Sequence, residues 1–232
     1  MNANRQHWNA SHQKLNRALR AAPLRGAAAD RATATELFLA QHAMVHSAKM
    51  ARTGLWSFED EVLSDLSADQ LRLIPRGEEH SIAWILFHLT RCEDITMNML
   101  VAGTPQLLLR DDWVKKLNVE IIHSANAMDA DSVAKFSAGI NIKALKAYRI
   151  AVGRRTRQVV KKLKAEDYQK PVDPLRAQKV MEESAVSPDA IEIMHYWATR
   201  TIAGLLLMPP TRHCFLHWNE ALKIKKKIQK AK

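Results

Sequence analysis

Ile82-Ala83-Trp84-Ile85-Leu86-Phe87-His88-Leu89 is the run on which the reading of the fold turns. It is interrupted by a single polar residue, His88, and is too short to cross a bilayer, which takes roughly 18 apolar residues or more. Upstream, Ile74-Pro75-Arg76-Gly77 breaks the chain, and Glu78 and Glu79 suit the positive end of a helix dipole. Downstream, Gly103-Thr104-Pro105 is a stop. The pattern predicts a helix over about 80–102 with a broad apolar arc of Trp84, Ile85, Leu89, Cys92, Ile95, Met99 and Leu100. Such an arc marks a helix buried among several neighbours. His88 falls inside the arc, away from Arg91, Asp94 and Asn98, so it is either a partnered core residue or a ligand.

Working outward, apolar periodicity predicts three more principal helices. One covers 35–66 with a break near Gly54, where Leu37, Met44, Ala48 and Leu55 share one side and Phe38, Val45 and Trp56 another. One covers 131–163, capped by Asp131 or Ser132 and striped by Leu145, Tyr148, Val152, Val159 and Leu163. The last covers 211–229. An additional apolar helix is expected over 189–208, stopped by Pro209-Pro210. Four principal helices with long crossover connections make an all-α four-helix bundle.

Composition agrees. The chain has 232 residues, 47% hydrophobic and 25% charged, with only 7 Gly and 8 Pro to punctuate it. One domain is expected, over 33–222. Residues 1–32, basic and free of acids until Asp30, are expected to be a flexible basic leader that packs little on the core. Residues 223–232 are expected to be a lysine-rich C-terminal tail. No apolar run long enough for a transmembrane segment is present, and the first residues do not read as a secretory signal. Cys92 and Cys214 supply no disulfide framework. A cytoplasmic location is the default. The net charge of +11 attracts polyanions nonspecifically, but no recognition motif accompanies it, so no specific nucleic-acid partner is expected.

The chemistry sits in histidines. His213-Cys214-Phe215-Leu216-His217 is an HxxxH pair, and residues four apart stand about 40° from each other round a helix. His213, Leu216, His217, Glu220 and Ile224 share one face. Two imidazoles so placed can grip one metal ion, and His88 from a facing helix would complete a three-histidine set. Three protein ligands with an open position is the usual plan of a catalytic metal. An HxxxH pair on its own equally suits structural or surface histidines, and the chain has a second one, His42 and His46. That pair reads either as a hydrogen-bonded, partly buried face or as a pocket wall in which one histidine acts as acid or base. Glu220 reads as an outer partner of a ligating imidazole, as a base, or as a ligand. Cys92, one turn after His88, faces the same way. Cys214 points elsewhere. Both are taken as buried, apolar-type cysteines.

The stretches Ser81-Ile82-Ala83-Trp84-Ile85-Leu86-Phe87-His88-Leu89-Thr90-Arg91-Cys92-Glu93-Asp94 and Arg212-His213-Cys214-Phe215-Leu216-His217-Trp218-Asn219-Glu220 resemble the DinB superfamily of metal-binding four-helix bundles. That superfamily includes putative hydrolases and bacillithiol- and mycothiol-dependent transferases. The resemblance spans about 35–220. It implies a divalent metal (Zn, Ni, Fe or Mn) held by His88, His213 and His217. It further implies a thiol transferase or hydrolase acting on a small molecule, with a low-molecular-weight thiol as co-substrate. Glu220 and then His46 are the catalytic candidates, and a homodimer is one possible assembly. The competing reading is a noncatalytic helical stress or interaction protein that retains the metal-binding scaffold.

Overall fold

In the computed structural model, the described residues are 3–25, 28–52 and 54–230. Met1, Asn2, Gly26, Ala27, Thr53, Ala231 and Lys232 lie outside them, and with them the start of the expected leader, part of the Ala27-Ala28-Ala29 stretch and the last two residues of the expected tail. The described chain is all-α, with a lone bridge between Pro171 and Thr201. Its helices are α1 (Ala3–Arg25), α2 (Ala28–Val45), α3 (Ala48–Ala51), α4 (Phe58–Leu63), α5 (Ala68–Arg72), α6 (Ile82–Asp94), α7 (Leu107–Arg110), α8 (Trp113–Leu117), α9 (Ala130–Gly139), α10 (Ile142–Lys162), α11 (Pro174–Glu182), α12 (Ile191–Ala198), α13 (Ile202–Leu206) and α14 (Cys214–Lys230). Two π-helical segments, Ile95–Ala102 and Met208–His213, extend α6 and lead into α14.

The central element is α6. Ser81 caps it by accepting from the Trp84 N–H at 2.9 Å, and every residue from Ile82 to Asp94 is buried. It packs against α10 and α14, which is why its apolar residues occupy more than one side. The helix runs on through the π segment to Gly103, whose left-handed φ of 63° ends it.

Three expected helices are divided. The 35–66 segment becomes the end of α2, then α3 and α4. The second restart is local: Ser57 accepts from the Asp60 N–H and caps α4. The 131–163 segment is α9 and α10, because Asn141 caps a new helix by accepting from the Ala144 N–H. The 189–208 segment is α12 and α13, with Thr201 capping the second through the Gly204 N–H. Pro209-Pro210 does not stop the chain as expected. Two consecutive residues without N–H donors widen the coil into the π segment. The Thr211 hydroxyl then donates to the Leu206 carbonyl and Cys214 Sγ to that of Pro209.

The leader and tail expectations are corrected. Helix α1 lies along α2 and buries Trp8, Leu15, Leu19 and Ala22 completely or nearly so. Trp8 stacks on Phe215 of α14 with ring centroids 4.1 Å apart and planes 3° off parallel. The four apolar residues that α1 contributes are spaced at helical intervals between basic and polar ones, which hid the stripe in a residue-by-residue reading. The lysine-rich end continues α14, with Ile224, Lys225 and Ile228 buried. The Lys225 ammonium donates to the Glu61 and Ser64 carbonyls at the end of α4.

That last contact is one of a set. Arg31 donates to the Lys161 and Leu163 carbonyls, Arg72 to Ile140, Arg157 to Leu39, and Arg176 to Leu100 and Val101. Apart from Leu39, which lies inside α2, these carbonyls are at or near helix ends that have no further helical N–H to receive, and cations there also meet the negative end of the dipole. Part of the positive charge thus holds the fold together. No helix among the described residues is long and apolar enough to cross a membrane.

Candidate metal centre

Two histidine groups flank α6. In the first, α6 supplies His88, the π segment supplies His213 and α14 supplies His217. The rings of His88 and His213 have centroids 4.9 Å apart, those of His88 and His217 5.1 Å, and those of His213 and His217 4.6 Å. His88 Nε2 lies 3.2 Å from His213 Nε2. Nitrogens bound at roughly 2.0–2.1 Å to one ion sit about 3–4 Å apart, so this separation fits a shared ion. The donor atoms of His88, Cys92 and His213 lie within 4.8 Å of one another, a group that does not include His217. It includes Cys92, which the sequence reading set aside, although its position one turn after His88 was the signal. Cys92 Sγ stands 3.8 Å from His88 Nδ1, and burial raises its thiol far above the ordinary range.

The outer nitrogens of His88 and His217 are fixed. His88 Nδ1 is 2.7 Å from the Ser124 carbonyl, which can only accept, so Nδ1 carries the proton and Nε2 keeps its lone pair. His217 Nδ1 donates to Glu220 Oε2 at 2.7 Å, and His80 Nδ1 donates to Glu220 Oε1 at 3.0 Å. Burial opposes ionisation of Glu220, but the hydrogen bonds from His217 and His80 outweigh it and hold the carboxyl at about 2. An imidazole oriented by a carboxylate or carbonyl on its outer nitrogen is the usual arrangement of a metal-binding histidine. His80, Trp84 and His88 form a stack, with centroids 3.7 and 4.9 Å apart and planes within 10°. Burial, joined by the His217 charge, lowers His88 to about 3, and burial together with the neighbouring histidines lowers His213 well below its ordinary value. Both imidazoles are therefore neutral near pH 7, as ligation requires. His213 and His217 are half-buried, and the His80 and Glu220 side chains keep 22% and 32% of their surface, which leaves the group one open side.

The second group pairs His42 and His46 of α2 with Glu93 of α6. His42 Nε2 meets Glu93 Oε1 at 2.9 Å and His46 Nε2 meets Oε2 at 2.8 Å. Arg149 Nη1 donates to the same Oε2 at 3.1 Å, and Arg149 Nε reaches Glu59 at 3.4 Å. These side chains are 0–2% exposed. Burial raises Glu93, but both histidines more than reverse it and hold the carboxylate well below its ordinary range. Burial lowers both histidines. The donor set also suits a metal by residue type, but a guanidinium on the carboxylate repels a cation. Moreover, the buried Nδ1 atoms of His42 and His46 have no partner, so ligation through Nε2 would strand two N–H donors. Donation from Nε2 to Glu93 strands only two lone pairs. The second group is therefore best described as a closed ion-pair network. Gly153 belongs to it: a Cβ there would sit 2.7 Å from His46 Nδ1.

The structure thus brings His88, His213, His217 and Glu220 together and places His46 in the other group. Sequence reasoning missed Ser124, His80 and the Glu93–Arg149 pair; only His80, two helical turns before His88, left a trace in the spacing. Two Glu-x-x-His patterns, Glu120 to His123 and Glu192 to His195, contribute to neither group, and Glu120, Glu192 and His195 are exposed.

The profile of the DinB superfamily matches residues 56–208, a span that includes His88 and ends before His213. No curated protein matches the chain. Among solved structures, a conserved protein from Enterococcus faecalis superposes with a TM-score of 0.59 at 16% identity, over 84% of this chain and 96% of that one. At that identity the likeness speaks for the fold.

Proposed function

The chain belongs to the DinB superfamily, and from that premise we propose a metal-dependent enzyme that transfers a small-molecule thiol to an electrophile or hydrolyses a small substrate. The observation that carries the reading is the His88–His213–His217 convergence with its outer nitrogens held by Ser124 and Glu220. His88, His213 and His217 hold a divalent ion, Zn, Ni, Fe or Mn, since imidazole suits all four. Bound there, such an ion supplies Lewis acidity and favours the deprotonated form of water or a thiol.

The protein's own groups do the rest. Ser124 and Glu220 fix the tautomers of His88 and His217. Both Glu220 oxygens are engaged, so Glu220 acts as a positioning residue and keeps His80 beside the open edge. The Trp84 ring between His80 and His88 keeps water from one face of His88. His46 is closed off in the Glu93 network and takes no part in the reaction, which replaces its sequence-based candidacy as acid or base.

The test begins with elemental analysis of the purified protein. About one divalent ion per chain is expected, with loss of metal in H217A at unchanged helical content. Screening low-molecular-weight thiols against electrophiles then separates transfer from hydrolysis. A metal-free protein that also fails to take up added Zn, Ni, Fe or Mn would overturn the reading.

A further inference from the structure

A cavity of about 470 Å³ is lined by Glu59, whose carboxyl meets Arg149 Nε at 3.4 Å, and by none of the histidines of either group. Ser47 and Glu59 lie at its floor, 8% and 2% exposed, and Lys49, Lys143, Lys146 and Asp60 lie along its wall. None of the three lysine ammoniums has an ion-pair partner among the described residues. Asp60 is engaged elsewhere: its Oδ2 accepts from the Ala48 N–H at 2.7 Å and from Ser57 Oγ at 2.9 Å. Ser47 Oγ is buried and has no hydrogen-bond partner. A buried hydroxyl without a partner costs free energy that a bound acceptor would recover.

We propose that this cavity binds a phosphate-type dianion, such as the phosphate of a small phosphomonoester, held by Lys49, Lys143 and Lys146 over the Ser47 hydroxyl. The charge count sets the class. Three ammoniums against Asp60 leave a surplus of two, which a monocarboxylate would half satisfy and a dianion neutralises. The donor chemistry agrees, because ammoniums and a hydroxyl all point hydrogen toward an oxyanion, and charge-assisted bonds of this kind are the strong ones. Glu59 does not oppose it. Burial raises its carboxyl, against the pull of Arg149, to about 7, so below that pH it adds no opposing charge. Behind it Arg149 contributes a fixed positive charge. The volume lies within the range of about 300–1,000 Å³ common to small-molecule sites, enough for a phosphate with a short organic tail.

The site is separate from the histidine centre, so the two readings stand or fall apart. Titration of the full-length protein with phenyl phosphate, a phosphomonoester that is mostly dianionic at about pH 6.5, at low salt and followed by calorimetry, tests it. Saturable one-site binding is expected, weakened about tenfold by K143A, again about tenfold by K146A, and about threefold by S47A. K161A/K162A, on the same helix but away from the cavity, and H217A should bind as the parent does, and acetate should bind far more weakly than phenyl phosphate. Circular dichroism controls for folding in each variant. Absence of saturable binding, full affinity in K143A/K146A, acetate binding as tight as phenyl phosphate, or loss of phenyl phosphate binding in H217A would each overturn the assignment.

Discussion

The two histidine groups are built alike and end differently. Each takes an HxxxH pair from one helical stretch and one residue from α6: His213 and His217 meet His88, while His42 and His46 meet Glu93. His88 and Glu93 are five residues apart, about 140° round the helix, so they face different neighbours. Where α6 offers a histidine, the pairs' lone pairs are left over, and the outer nitrogens of His88 and His217 find acceptors in Ser124 and Glu220. Where α6 offers a glutamate, both inner N–H groups are consumed by the carboxylate and Arg149 closes the charge. An identical motif thus yields a candidate ligand set in one place and a buried network in the other. The residue facing the pair decides which.

The largest effect should come from breaking the closed group. Arg149→Met leaves Glu93 ionised, buried and without its cation, and is expected to cost about 3–5 kcal/mol in urea unfolding; a loss below about 1 kcal/mol would show that Glu93 is neutral. Next in size is Trp8→Ala, which removes a fully buried indole stacked on Phe215, between His213 and His217 in sequence. It should cost about 3–5 kcal/mol by the same measurement. Little change would restore the leader to a loosely attached segment.

The open group should answer in metal rather than in stability. H217A is expected to lose more metal affinity than the ~10–100-fold that removal of an outer partner costs, while H42A keeps its metal. Equal loss in the two variants would erase the distinction between the groups. E220Q removes only the outer partner of His217 and should weaken metal binding by about 10–100-fold in a competition titration. An unchanged affinity would mean that Glu220 serves His80 alone.

The smallest effect is a slope. Glu59 has its folded value raised from 4.5 to about 7. The folded state therefore holds this proton longer than the unfolded chain. The associated stability is fully present below about 4.5 and is lost as pH rises through 7. E59Q should remove that loss, so its stability relative to the parent should climb by about 1.4 kcal/mol per pH unit between those limits, whatever the constant offset from the lost Arg149 contact. A pH-independent difference would place Glu59 in the ordinary carboxylate range.

Periodicity was enough for the all-α class, for α6 with its π extension, and for the long helix at the C-terminus. It ran across the breaks at Asn141 and Thr201, because a capping residue interrupts the backbone without interrupting the apolar stripe. It underrated α1, because four buried residues spread over a basic helix make a weak stripe until a partner helix is there to cover it.

By itself, then, the sequence determined which residue types repeat at helical spacing, and so the helices and the two HxxxH faces, since both follow from a local period of about 3.6 residues. The tertiary structure alone decided which α6 residue each pair would face, and that Ser124, 36 residues beyond His88, would set its tautomer. It alone placed Arg149 on Glu93 and brought Cys92 within reach of His213. Those choices depend on contacts between segments 30 to more than 100 residues apart, whose directions are fixed by how whole helices pack against one another rather than by any spacing along the chain.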